Sequence, residues 1–304
     1  MISANKKERI AYEVIKTLKS RFESFPEDSK NNRNAPFHEA FLNAFSNKLE
    51  GNIKDAPYLI SLSSWLHGLN TTLGQSFFEN IAHILSGGIK KEFTKKKRSS
   101  LCITTIQQSE IASIITSLKS QSRKPNLVGE NKLIFQLDKS TIVEAMDFTA
   151  DNYIETDTII EAIELKSVKP NSGEMRGEKQ KILIAKAALK KKYPSKDIKF
   201  YIGFPFDPTS STLAGTDKNR FMSSIIEFNK FFSSDEVLIG DELWDQLSGD
   251  EKTMQQILDI INKIATKDFI DNFNFLKNPE NQKSNPKKYD KLIKEWNLSS
   301  KLLT

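Results

Sequence analysis

The side chains best placed to do chemistry are Glu164 and Lys166, in the segment Thr158–Ser167, TIIEAIELKS. The segment reads as a buried strand, because it is dense in Ile, and its last positions are charged. Side chains alternate across a strand, so Glu164 and Lys166 share one face, and Ile163 and Leu165 point to the other, into the core. Burying a carboxylate and an ammonium at the end of a sheet costs desolvation. The chemistry that fits is a carboxylate binding a hard divalent cation, with a lysine beside it to orient or activate water. The triplet alone is not distinctive, since Asp28–Lys30, Glu130–Lys132 and Asp197–Lys199 repeat it. Glu164–Lys166 differs from them in ending a long β-branched strand, having an acid upstream on a hairpin partner, and preceding a lysine-rich helix.

A cation needs more than one carboxylate. A hairpin of residues 146–154 and 158–167, turning near Thr156, sets Asp147 opposite Leu165 and within one residue of Glu164. Asp147 and Glu164 are therefore the expected metal ligands, with Asp151 and Asp157 as the alternatives at another register.

These residues must be held by a scaffold. Apolar residues recur at helical spacing over 5–24, 36–49, 70–86 and 104–120, with Thr71 or Thr72 as a possible cap for the third of these helices. The period then shortens, and strands are expected at Leu133–Leu137, 141–153, 158–167, Ile198–Phe204 and Val237–Ile239. Helices are expected over 177–192, 218–232, 241–247 and 251–266, with a last turn or two at KLIKEW. The class is α/β, a mixed central sheet flanked by helices, with helical N- and C-terminal regions. The 304 residues are read as a single domain: a mainly helical part over 1–125, a catalytic core over 126–240 and a helical part over 241–304. The formal net charge of +6 and pI near 9.1 favour a polyanionic partner. Cys102 is the single cysteine, which excludes an internal disulfide and a Cys-based zinc site. No run approaches the ~18 apolar residues of a membrane span, and no signal-peptide pattern opens the chain. A cytoplasmic protein is expected.

Asp147 before the hairpin partner and Glu164-Leu165-Lys166 closing the next strand resemble the PD-(D/E)XK nuclease superfamily, and more closely its type II restriction endonucleases. The usual Pro before the Asp is replaced by Met146. Four further stretches resemble the restriction enzymes that read GGNCC. They are Thr72–Glu79, Lys166–Gly173, Phe204–Pro208, and Glu236–Gly240 with Trp244 and Leu247-Ser248-Gly249. The likeness spans about 35–260. It implies a restriction-endonuclease-like core and Mg²⁺-dependent hydrolysis of duplex DNA at a short, near-palindromic site, with Lys166 near the attacking water. It also implies a glutamate lent to the site by a helix before the sheet. Glu79 is the match, with Glu39 a second choice.

The loop and helix start directly after Lys166 are the expected DNA contacts: Lys169, Asn171, Ser172, Arg176, Lys179, Gln180 and Lys181. Lys, Arg and Ser suit phosphates, Arg suits guanine edges, and Asn or Gln suits adenine edges. A two-fold site is matched by a two-fold protein, so a homodimer is expected, with a cognate DNA methyltransferase as a separate protein. Two other readings remain open: a repair or recombination nuclease without base specificity, and a DNA-binding protein without catalysis.

Overall fold

The computed structural model describes residues 1–26, 56–136, 139–166, 172–212 and 216–299, without the side chains of residues 56, 57, 172 and 173. The helix expected over 36–49, Glu39, Leu137, Lys169 and Asn171 lie outside the described residues. Along the chain, α1 (Ala4–Glu23) is followed by α2 (Ala56–Thr72), a π-helical turn (Leu73–Phe77) and α3 (Phe78–Ser86). Next come β1 (Ile89–Phe93), β2 (Cys102–Thr104), α4 (Thr105–Lys119), α5 (Leu127–Ile134), β3 (Ile142–Glu144), β4 (Phe148–Glu155) and β5 (Ile159–Leu165). The chain continues through α6 (Ser172–Lys192), β6 (Asp197–Phe204), α7 (Lys218–Ser224), α8 (Phe228–Phe231) and β7 (Val237–Ile239). It ends in α9 (Asp241–Ser248), α10 (Thr253–Ile264), α11 (Phe269–Lys277), α12 (Glu280–Ser284) and α13 (Pro286–Glu295).

Two compact units form. One comprises Glu8–Phe77 and Ile260–Thr304. It is helical where described, and aromatic packing holds it: the Phe269 ring lies 5.5 Å from Phe22 and 5.7 Å from Trp296. The other comprises Met1–Lys7 and Phe78–Asp259 and contains the sheet.

The sheet has five strands in the order β1–β4–β5–β6–β7. The β1–β4 and β4–β5 pairs are antiparallel, and β5–β6 and β6–β7 are parallel. A parallel pair needs a crossover, and α6 supplies it between β5 and β6. Ile182, Leu183 and Ala185 of α6 join Ile160 and Ala162 of β5 in one buried core. The opposite face of β5 meets α9. A Cβ at Gly203 would lie 2.8 Å from Ile163 and 3.1 Å from Leu243, so only glycine admits this approach.

Several elements depart from expectation. The Leu133 segment is helix α5, because Asn126 caps it, its side chain accepting from Gly129 N at 2.9 Å. Thr71 and Thr72 cap nothing; their hydroxyls donate back to the carbonyls of His67 and Gly68, and the helix runs through them. The basic stretch after Gly87–Gly88 opens with edge strand β1, whose lysines protect an exposed edge. The helix expected over 218–232 is broken into α7 and α8, with Glu227 at φ 61° between them.

Register matters most for the site. Asn152 pairs with Ile163 and Glu155 with Ile160. Thr156 N donates to Ile159 O at 2.9 Å, so the turn has Asp157 and Thr158 at its corner rather than Thr156. The hairpin is thereby slipped by three residues from the expected pairing of Asp147 with Leu165. One step beyond the Asn152–Ile163 pair, Asp151 stands opposite Glu164.

Candidate active site

Glu164 is the penultimate residue of β5, and the parallel bonding continues for one residue past the strand's end, as Lys166 N donates to Gly203 O at 2.8 Å. This fixes the backbone beneath both side chains. Glu164 as a residue is 8 % exposed, and Lys166 Nζ lies 3.4 Å from its Oε1. The alternation expected from sequence therefore holds, with both groups on the face that α6 covers.

Helix α6 adds two residues. Glu178 and Lys181 are one turn apart, so they stand on the same side of the helix. Lys166 Nζ donates to Glu178 Oε1 at 2.8 Å, and Lys181 Nζ donates to Glu164 Oε1 at 2.7 Å. Lys181 Nζ also lies 2.6 Å from Glu178 Oε2. Glu164 Oε2 is buried and has no hydrogen-bond partner among the described residues.

The second carboxylate of the site is Asp151. Its Oδ2 accepts from Leu165 N at 2.9 Å, which ties it to the backbone between Glu164 and Lys166. A β-bulge aims it there. Ile89 faces Tyr153 and Lys91 faces Ala150, so Lys90 alone opposes both Asp151 and Asn152. His83 Nε2 hydrogen-bonds the Asp151 carbonyl at 2.7 Å, and Ser86 Oγ donates to Asn152 Oδ1 at 2.9 Å; both pin the bulge to α3.

Glu79 opens α3 and reaches this group through a lysine. Lys90 Nζ donates to Glu79 Oε1 at 2.9 Å and lies 3.3 Å from Asp151 Oδ1. Glu79 and Asp151 thus share one ammonium.

The electrostatics follow from burial and crowding. Burial pushes the Glu164 carboxyl above the usual range, and the Asp151 charge adds to that, against Lys181 and Lys166. Burial would lower the Lys166 ammonium, but the hydrogen bond to Glu178 and the charge of Glu164 outweigh it, so Lys166 is held protonated. Burial also opposes ionisation of Glu178, yet the bonds from Lys166 and Lys181 keep its carboxyl below the usual range.

Other expected site residues lie elsewhere. Asp147 is exposed ahead of β4 and its Oδ1 accepts from Lys95 N at 3.1 Å. It is not beside Glu164, because the hairpin register is slipped. Asp157 is exposed at the turn, at the far end of β5. Lys179 is not available to a phosphate: it is 0 % exposed and its ammonium is ion-paired with Glu130 at 2.6 Å and bonded to Glu236. Arg176 and Gln180 are exposed on α6, and the Ser172 backbone begins that helix. Lys181 belongs to the carboxylate cluster rather than to an open surface. Glu178 was missed in the sequence, where the Glu-x-x-Lys spacing with Lys181 was its only signal.

The donor set suits a hard divalent cation. Mg²⁺ takes one or two carboxylates and completes its shell with water and substrate phosphate. Asp151 opposite Glu164, with one Glu164 oxygen unbonded, meets that need. Among the described residues no group of three His, Cys, Asp or Glu side chains already stands at metal spacing, so Glu79 does not complete a preformed cage.

The sequence matches the family described as type II restriction endonuclease, HinfI, over residues 2–265. It is also 46 % identical over 320 aligned positions to the type II restriction enzyme MjaII of Methanocaldococcus jannaschii, covering 99 % of this chain and 85 % of that protein. No described helix is long and apolar enough to cross a membrane.

Proposed function

This chain belongs to the HinfI family of type II restriction endonucleases, and we propose that it cuts duplex DNA with Asp151 and Glu164 holding Mg²⁺ and Lys166 beside the attacking water. The observation that carries this reading is the pairing of Asp151 with Glu164 across the hairpin, with Lys166 3.4 Å from Glu164. When bound, Mg²⁺ would neutralise charge on the scissile phosphate and acidify a water.

The rest falls to the chain's own groups. Hydrolysis forms a bond from the water oxygen to phosphorus and breaks the bond from phosphorus to the 3′ oxygen. Glu178 and Glu164 hold the Lys166 ammonium charged, so it offers a hydrogen-bond donor and positive charge toward the phosphate and the attacking oxygen. The Leu165 N–H fixes the Asp151 carboxylate, and Lys90 links it to Glu79, which is a positioning residue here. Arg176 and Gln180 are exposed on α6, on either side of Glu178 in the sequence, and contact the duplex, as do Lys169 and Asn171 before the helix and Ser172 at its start. Arg176 is the group that suits a guanine edge. The recognition site is read as GGNCC, from the likeness of Thr72–Glu79, Lys166–Gly173, Phe204–Pro208, and Glu236–Gly240 with Trp244 and Leu247-Ser248-Gly249 to enzymes of that group. A homodimer matches its two-fold symmetry, and a separate cytosine methyltransferase protects the host DNA.

Digestion of a sequenced plasmid with Mg²⁺ tests the function. Discrete fragments ending at GGNCC are expected; a smear would count against restriction, and discrete fragments from another site would overturn the specificity alone. Asp151→Asn, Glu164→Ala and Lys166→Ala should each abolish cutting. If these variants cut as the parent does, the site assignment fails while the family stands.

A further inference from the structure

Two ammonium groups converge on a single oxygen of Glu164. Lys181 Nζ lies 2.7 Å and Lys166 Nζ 3.4 Å from Oε1, while Oε2 is buried without a hydrogen-bond partner among the described residues. Like charges this close to a ligand oxygen oppose a divalent cation there. One of the two ammoniums must yield, and the geometry distinguishes them. Lys166 is anchored by its backbone to β6 and by its ammonium to Glu178 Oε1 at 2.8 Å. Lys181 projects from α6 on a flexible four-carbon stem, and its side chain is 20 % exposed. It already has a second place to rest, Glu178 Oε2 at 2.6 Å, one helical turn away. Leaving Glu164 therefore does not strand its charge.

Resting on the reading of Asp151 and Glu164 as the metal pair, we propose that Lys181 is an exchangeable internal cation: its ammonium holds Glu164 until a divalent ion takes that carboxylate, and Glu178 retains the lysine afterwards. Lys181 then sets how tightly the DNA-free enzyme holds metal. It keeps a buried carboxylate compensated between turnovers, and it makes metal loading a competition rather than simple filling of an open site.

The test is Mn²⁺ binding to the full-length protein without DNA, read as free Mn²⁺ by electron paramagnetic resonance. Lys181→Met should bind Mn²⁺ at least about tenfold more tightly than the parent, because the competing charge is gone. Lys181→Gln, which keeps a polar tip, should move the same way and covers the case in which Lys181→Met does not fold. Lys181→Arg, which keeps the charge, should stay within about threefold of the parent. Glu178→Gln should weaken binding in the parent and do so less in the Lys181→Met background, since part of its effect acts through Lys181. Equal or weaker Mn²⁺ binding by both neutral variants overturns the exchange. Glu164→Ala separates the two ideas: if it leaves Mn²⁺ binding unchanged, the metal-pair reading has failed. If it abolishes binding while the neutral Lys181 variants do not tighten it, the exchange alone has failed.

Discussion

Two ion clusters share helix α6, and they differ in what each leaves over. On one side Glu178 and Lys181 meet Lys166 and Glu164; every one of these side chains keeps some exposure, from 11 % to 20 %. On another side Lys179 is 0 % exposed, held between Glu236 and Glu130. Those two carboxylates have further support: Glu236 Oε2 accepts from Ser233 N at 3.0 Å, and Glu130 Oε1 accepts from Asn126 N at 3.1 Å. The inner cluster is sealed from solvent, and the ion pair of Lys179 with Glu130 and its bonds to Glu236 tie α5, α6 and the entry to β7 together. The outer cluster is open and leaves a carboxylate oxygen unbonded. Adjacent residues of one lysine-rich helix thus serve the fold on one side and, on the proposed reading, a reaction on the other, and complete burial of the lysine separates the first from the second.

The sharpest way to break this contrast is to remove one anchor from each cluster. Glu164→Ala should lower the cleavage rate by at least roughly 10²- to 10³-fold, the scale of losing one preorganised charge at a reacting phosphate. Its melting temperature should change little, because Lys166 and Lys181 remain bonded to Glu178. Lys179→Met should do the reverse. Two buried carboxylates lose their cation, which costs about 3–5 kcal/mol in urea unfolding, while the folded fraction still cuts. A Lys179→Met protein of normal stability and weakened DNA binding would return Lys179 to the DNA surface expected of it from sequence.

That expectation failed for a physical reason, and the failure shows what a sequence can carry. The strand leading into Glu164-Leu165-Lys166 was legible because a run dense in Ile with a charged end is a local signal. The sheet order around it was legible as a class, since strand and helix alternate from β5 onward. The fate of Lys179 was not local: it is set by Glu130 and Glu236, residues distant in the chain. Asp151 was visible only as an alternative, because register depends on the turn, and Thr156, Asp157 and Thr158 all suit a corner. The bulge that aims Asp151 depends on β1, a strand hidden in a run of lysines that reads as solvated surface.

The inner cluster has its own weak point, which sharpens the comparison through pH. Lys186 is fully buried, and its Nζ has no hydrogen-bond partner among the described residues. Burial lowers its ammonium from 10.5 to about 8, with the Lys179 charge adding to that and Glu236 and Glu130 opposing it. The folded protein therefore binds this proton less well than the unfolded chain. The penalty is complete below about pH 8 and fades as pH rises toward 10.5. At roughly 1.4 kcal/mol for each tenfold change in proton affinity, it costs about 3 kcal/mol at pH 7. Lys186→Met should remove that cost, stabilising the protein at pH 7 and doing so progressively less in urea titrations up to pH 10. Equal stabilisation at both pH values would mean that packing, not charge, is responsible.

The smallest expected effect falls on the aspartate that sequence favoured. Asp147→Asn keeps an oxygen able to accept from Lys95 N, so at most about 1 kcal/mol of stability is at stake. Its cleavage rate should stay within about twofold of the parent, since among the described residues Asp147 bonds to Lys95 N and not to the Glu164 cluster. Asp151→Asn is the matched change on the other side of the slipped register. It keeps the size of a group bonded to Leu165 N while removing the charge opposite Glu164. Single-turnover cleavage of the two variants, measured side by side, should rank Asp151→Asn with Glu164→Ala and Asp147→Asn with the parent. The opposite ranking would mean that the hairpin carries its catalytic aspartate where the sequence first put it, and that the β-bulge at Asp151 serves the fold alone.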